Sequence, residues 1–169
     1  MADSLQIRPL EDRDASAVSR ILKECYRFLA VRDQFSDREL SGLVETCSSP
    51  GFVRELAADF DCAVAEVDGA VVGFVACQGA MIEQLFVLPE AHRRGVGSGL
   101  FRHATDWMRE RGHTRVALTT TGYGRPFYEA MGMRVTGTCA VTFGPLLGRE
   151  LLRLEGPTAG QNYSDTAVV

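Results

Sequence analysis

Three glycines spaced two apart, Gly95, Gly97 and Gly99, stand between an apolar run and a helical pattern. This junction constrains the fold more than any other feature of the chain. The apolar run is MIEQLFVLP, closed by Pro89. The helical pattern runs from Gly97 to Arg111, with Leu100, Phe101, Ala104, Trp107 and Met108 on one face and a stop at Gly112. A helix that starts here presents unpaired N–H groups and a partial positive charge in its first turn. Glycine keeps that turn clear of side chains and permits positive φ where the chain bends into it. Arg93 and Arg94 set full charges beside the amides. The junction reads as strand, loop and helix, with a seat for a phosphate or pyrophosphate.

The flanking pattern extends this unit into an α/β domain. LQIRPL alternates and ends at a proline, which predicts a first strand over Leu5–Pro9. Ala17, Val18, Ile21, Leu22 and Cys25 follow at three- and four-residue spacing, a helix face that Asp12 or Asp14 can cap. Ser36 and Glu39 have the spacing of a capping box, and Ser48, Ser49 and Pro50 open a further helix. Two β-rich runs then flank Asp68-Gly69, a hairpin turn signal. After the long helix come a strand in TRVALTT, a short helix in RPFYEAMG, and two strands in MRVTGTCAVTF and RELLRLE. Strands alternate with helices only in the second half, so a mixed sheet fits better than a doubly wound one. The order predicts one domain over residues 1–155 and a polar tail over 156–169.

Bulk properties narrow the partners. A net charge of −4 argues against a dedicated nucleic-acid binder. No run approaches the roughly 20 apolar residues that span a bilayer, and the N-terminal stretch lacks an apolar signal segment. Five cysteines, an odd number without a CxxC, read as reduced thiols in a cytoplasmic protein with no metal site. His103 and His113 read as surface residues away from the loop.

Three readings of the glycine junction compete on the residues alone. It can be a plain strand-to-helix turn. It can be a dinucleotide loop, although GVGSGL places its third glycine one residue early and no acidic residue suitably ends a next strand about 20 residues on. A third reading rests on the resemblance of longer stretches to a known family. A Walker loop is excluded, since no G-K-[ST] follows.

Two longer stretches favour the third reading. IEQLFVLPEAHRRGVGSGLFRHA resembles the central strand, pyrophosphate loop and following helix of the GCN5-related N-acetyltransferases. GRPFYEAMGM, Gly124 to Met133, resembles that family's second signature. The resemblance is strong from about Val64 to Thr136, and the two signatures in order are more specific than either alone. His92 stands where the family has Arg or Gln, while Gly95 and Gly97 match. Thr121 and Gly124 stand where it often has Asn and Ala, and Met133 replaces a Phe.

The resemblance implies a mixed, mostly antiparallel sheet of six to seven strands flanked by about four helices. It implies acetyl-CoA as co-substrate, bound along Leu85, Phe86 and Val87 and at His92, Arg93, Arg94, Gly95, Val96, Gly97 and Ser98. Tyr128 takes the place of the general acid, and Glu83 that of a base, on the same strand face as Leu85 by period two. The backbone N–H of Leu85 or Val87 is the expected oxyanion donor. The acceptor is a primary amine, on a small molecule, an amino acid or antibiotic, or a protein terminus. It enters from the first helices, where Arg32 can hold a carboxylate and Asp33 an ammonium. A non-catalytic acyl-CoA sensor of the same fold is the alternative. The last strands can support a homodimer.

Overall fold

The structure, a computed structural model, describes residues 4–159. Seven strands form one sheet: β1 (Leu5–Pro9), β2 (Asp61–Val67), β3 (Ala70–Gln78), β4 (Met81–Val87), β5 (Arg115–Thr120), β6 (Arg134–Ala140) and β7 (Glu150–Pro157). Their order across the sheet is β1-β2-β3-β4-β5-β7-β6. Five helices join them: α1 (Ala15–Arg32), α2 (Asp37–Thr46), α3 (Pro50–Asp59), α4 (Val96–Glu110) and α5 (Arg125–Ala130). The seven strands lie at the top of the expected six to seven, and the helices exceed the expected four by one.

Local chemistry accounts for most of the boundaries. Ser36 caps α2: its hydroxyl accepts from the Glu39 N–H at 3.2 Å, while Glu39 Oε2 accepts from the Ser36 N–H at 2.7 Å. Ser49 accepts from the Phe52 N–H, and Pro50 opens α3. Asp68 and Gly69, both at positive φ, turn β2 into β3. At α1 the carboxylate of Asp14 serves other partners. It takes two hydrogen bonds from Arg8 at 2.7 and 2.9 Å and one from the Glu11 N–H, tying the helix to β1.

The sheet carries a core on each face. α1, α2 and α3 cover one, with Val18, Leu22, Leu43 and Val53 packed on Val64, Phe74 and Ala76. α4 and α5 cover the other, with Leu100, Phe101, Ala104, Met108 and Phe127 packed on Val75, Ile82, Val116 and Leu118. Fully burying a side chain of this size stabilises by about 1.5–3 kcal/mol, so the two cores dominate the fold's stability. β7 runs through Pro157, and the buried Thr158 donates its N–H to Thr114 O at 3.1 Å. The folded unit therefore passes the expected boundary at 155. Residues 160–169 of the expected tail lie outside the described residues.

One strand pair departs from the rest. β4 and β5 are parallel, whereas every other adjacent pair is antiparallel. They pair only at Met81↔Ala117 and Ile82↔Leu118, and then part. Across β4, Ile82 opposes Cys77 and Gln84 opposes Ala76, so Glu83 is the extra residue of a bulge.

Gly73 on β3 sits under the start of α4. A Cβ there would meet Leu100 Cδ1 at 3.0 Å, Val96 Cγ1 at 3.1 Å and the Phe86 carbonyl at 3.2 Å. Gly73→Ala is expected to push α4 off the sheet and cost about 1–3 kcal/mol. Urea denaturation would show this as a lower midpoint at unchanged slope, and an unchanged midpoint would contradict the packing.

Candidate active site

The gap left where β4 leaves β5 is a cavity of about 320 Å³ that passes from one face of the sheet to the other. On the α5 side it is lined by Leu85, Val87, Gly97, Phe127 and Tyr128. On the α1–α2 side it is lined by Tyr26, Phe28, Phe35, Leu43 and Phe86. Glu83 stands exposed at its edge.

The backbone of β4 supplies the inner wall. Leu88 N–H bonds to Val72 O on β3, while Val87 O turns the other way to meet Cys25 Sγ and His92 Nε2. Strand alternation then aims the N–H and C=O of both Leu85 and Val87 away from β3, toward the departed β5. Phe86 differs: its backbone faces β3, and its ring lies edge-on to Tyr26 at 5.6 Å on the α1 side.

The glycine loop sits directly beyond. Gly95 adopts φ +77 and precedes α4, whose first back-bonded amide is Gly99, to Gly95 O at 2.9 Å. The amides of Val96, Gly97 and Ser98 therefore form the open first turn. Arg93 holds a left-handed φ of 60 without being glycine, and both it and Arg94 are exposed. The glycines serve three separate ends. Gly95 supplies the left-handed turn. Gly97 borders the cavity, where a Cβ would lie 3.3 Å from the Phe127 ring. Gly99 faces β1, where a Cβ would meet Ile7 Cδ1 at 3.0 Å. It serves packing and does not clear the loop for an anion.

His92 turns inward instead of toward the loop amides. Its Nε2 lies 2.9 Å from Val87 O, and its ring lies edge-on to Phe28 at 5.3 Å. Because a carbonyl only accepts, Nε2 carries the hydrogen. Burial lowers the imidazole pKa below its ordinary value, which favours the neutral ring. Tyr128 is buried, and burial pushes its phenol well above the ordinary range, so it stays protonated at neutral pH. Burial likewise pushes the Cys25 thiol up to about 12, leaving it a hydrogen-bond donor rather than a nucleophile. Gly124, where alanine was the family expectation, lies so close to Thr120 Oγ1 that a Cβ would collide with it.

Glu83 keeps its place beside the cavity but not on the expected face. The bulge breaks the period of two, so Leu85 shares its face with Ile82. Arg32 and Asp33 do not line the cavity. Arg32 stacks on Phe28, 3.3 Å from the ring centre, and Asp33 Oδ1 accepts the Tyr123 N–H at 3.1 Å. Both hold the end of α1 against the β5–α5 loop. His103 and His113 are half-buried and stand apart from the cavity.

Three features were missed in the sequence. Cys25 was counted only as a core thiol, yet it caps the Val87 carbonyl. Gln84 lines the cavity, and its Oε1 is buried without a partner. Arg149, in the stretch between β6 and β7, reaches Glu39 with two bonds of 2.9 Å and also donates to Asp33 O and Gln34 O. This latch folds the β6–β7 loop over α2 and brings Leu146 into the cavity wall. Gln84 alone carried a readable signal, as a polar residue inside an apolar strand next to Glu83.

Among the described residues, no three His, Cys, Asp or Glu side chains gather as a metal ion would need, and no helix is long and apolar enough to cross a membrane.

Comparison with known proteins agrees with this architecture. Residues 16–133 match the acetyltransferase (GNAT) family, so the chain belongs to that family. An uncharacterized N-acetyltransferase of Archaeoglobus fulgidus is 30% identical over 145 residues, covering 77% of this chain and 93% of that protein. A GCN5-related N-acetyltransferase structure from Rhodopseudomonas palustris superposes with a TM-score of 0.81 at 19% identity, over 93% of this chain and 98% of that one. The PaiA N-acetyltransferase of Thermoplasma acidophilum, solved in complex with coenzyme A, gives 0.78 at 18% identity, over 91% and 99%. Family membership supports acetyl transfer as the general activity.

The Arg149 latch has a pH signature. Its guanidinium holds the Glu39 carboxyl down to about 2, from an ordinary 4.5. A pKa depressed in the folded state contributes stability above the unfolded value and loses it as pH falls through the folded one. Glu39→Gln is expected to cost about 1–3 kcal/mol near neutral pH. The difference from wild type should shrink between about pH 4.5 and 2. Urea midpoints across that range check it, and a difference independent of pH would contradict it.

Proposed function

We propose that this chain transfers the acetyl group of acetyl-CoA to a primary amine by direct attack of the amine on the thioester. The observation that supports this most is the bare inner edge of β4, which runs straight to the open first turn of α4. An extended pantetheine-like arm can pair with Leu85 and Val87 as an added strand beside Phe86. The amides of Val96, Gly97 and Ser98, together with Gly95, Arg93 and Arg94, then receive the diphosphate. His92 contributes from below by holding the Val87 carbonyl.

The chemistry follows from the same atoms. The N–H of Leu85 or Val87 donates to the thioester oxygen as negative charge builds on it. Glu83, exposed at the cavity edge, accepts the proton of the attacking amine through water. Tyr128 gives its phenolic proton to the departing sulfur and regains one from solvent. One C–N bond forms, one C–S bond breaks, and the products are an amide and free coenzyme A.

A thiol-release assay with acetyl-CoA against a panel of amines tests the reading, with calorimetry of acetyl-CoA binding beside it. Tyr128→Phe should lower kcat by about 10²–10⁴-fold while acetyl-CoA affinity stays unchanged. Unchanged turnover would remove Tyr128 from the mechanism. No heat of binding at millimolar acetyl-CoA would remove the transferase reading altogether.

A further inference from the structure

We infer that His92 and Cys25 are positioning residues of the acyl transfer: by filling the Val87 carbonyl they leave the thioester arm a single register along β4. The inference rests on the transferase reading and concerns how the donor is seated in the same site.

The Val87 oxygen is bonded from two sides. His92 Nε2 lies 2.9 Å from it and Cys25 Sγ 3.3 Å. A carbonyl oxygen has two lone pairs, and both are taken. The peptide unit that carries it is held at its other edge as well, where Leu88 N–H donates to Val72 O at 2.8 Å. Leu85, two residues back on β4, turns both its N–H and its C=O away from β3. What β4 offers an extended arm is therefore an N–H and a C=O at Leu85, but an N–H alone at Val87. An arm added as a strand pairs through amides, and its register is weakly specified wherever equivalent positions recur. With its carbonyl filled, Val87 is not equivalent to Leu85. An arm shifted from one to the other would set its own N–H against an occupied oxygen and leave that N–H unpaired. Such a shift would also carry the thioester about 7 Å along the strand, away from Glu83.

The surroundings of the two donors agree with this role. A neutral imidazole has one N–H, and His92 spends it on Val87, so none remains for a phosphate. The ring lies edge-on to Phe28 at 5.3 Å, and Phe28 lies edge-on to Tyr123 at the same distance, so the end of α1 props it in place. Arg93 then takes a left-handed φ of 60, uncommon outside glycine, and turns the chain from the inward His92 to the exposed loop. Cys25 is buried on α1 and keeps its proton, so it serves as a lasting donor. Two elements remote from each other in sequence thus converge on one oxygen.

The test measures acetyl transfer to the fastest acceptor among 2-phenylethylamine, spermidine, phenylalanine and a serine-initiated peptide. The donors are acetyl-CoA and S-acetylpantetheine, which lacks every phosphate. Rates are taken per coenzyme A site counted by calorimetry, so a misfolded fraction does not enter. His92→Leu is expected to lower kcat about tenfold with both donors and to raise KM for neither, because the second register binds without reacting. His92→Gln, whose amide N–H extends about as far as Nε2, should stay within about threefold of wild type. Cys25→Ala removes the other donor and should repeat the His92→Leu pattern, which keeps the test decisive if His92→Leu yields no folded protein. A KM raised for acetyl-CoA alone would return His92 to the phosphates, and a KM raised for both donors would make it a plain support of the arm; either overturns the register role. A kcat within about threefold of wild type in His92→Leu or Cys25→Ala would overturn it too, as would a His92→Gln variant as impaired as His92→Leu. Coenzyme A binding by the wild type without turnover of any acceptor would overturn the transferase reading and this inference with it.

Discussion

The structure turns on a parallel strand pair that is allowed to fail. β4 and β5 share two residue pairs and then separate, leaving a row of backbone groups inside the protein without the neighbour that strand geometry would supply. Buried backbone groups without partners are costly, so the gap persists only where something else answers them. At Val87 the answer is visible: Cys25 from α1 and His92 from the following loop both donate to its carbonyl. Phe28 then wedges between His92 and Tyr123, 5.3 Å from each ring centre, and spans the gap from one strand's exit loop to the other's. The end of α1 thus acts as a strut. The groups that face away from β3 at Leu85, and the Val87 N–H, are those the proposed reaction uses.

The same economy shapes the glycine junction. One sequence motif turned out to contain three independent requirements: a left-handed turn at Gly95, close approach to Phe127 at Gly97, and close approach to β1 at Gly99. Of the three, only Gly97 borders the cavity. Gly73 on β3 meets α4 from beneath through Val96 and Leu100. The first turn of α4 is therefore fixed by contacts on three sides, which would keep its amides aimed without reorganisation for the proposed diphosphate.

Much of the fold was legible because its signals are local. The limits of the first strand, the Ser36–Glu39 capping box, the Asp68-Gly69 hairpin and the proline at the start of α3 each depend on residues within a few positions of one another. The glycine junction and the Phe-Tyr-Glu run likewise lie in short segments. What escaped depends on distant pairs. Arg149 meets Glu39 across 110 residues, and neither stretch advertises the other. Cys25 meets Val87 across 62. The bulge at Glu83 was hidden for a different reason. A strand pattern read alone has strict period two, and only the register against Cys77 and Ala76 exposes the extra residue. The face expected for Glu83 differs for that reason, and the residue stands at the cavity edge. His92 was read as a phosphate contact from its place in the motif, whereas its ring lies edge-on to Phe28 and its Nε2 shares the Val87 carbonyl with Cys25.

The two halves of the cavity differ in character, and the difference suits the proposed chemistry. The half proposed for the donor leads to the first-turn amides of α4 and to Arg93 and Arg94, where an anion would be stabilised. The half facing α1 and α2, proposed for the acceptor, is walled largely by Tyr26, Phe28, Phe35, Leu43, Phe86 and Leu146, where a charge is penalised, although Thr119, Thr120, Thr121 and Tyr123 also line the cavity. An amine in water is mostly an ammonium and cannot attack. Moved into apolar surroundings, the ammonium is destabilised relative to the neutral form and its pKa falls. The aromatic and aliphatic walls would thus supply part of the deprotonation by themselves, and the carboxylate at the cavity edge would need only to carry the released proton to water. A base that stands exposed beside the cavity, rather than buried against the nitrogen, is what such a division of labour requires. Glu83, turned out of the strand's regular period by the bulge, stands in that position.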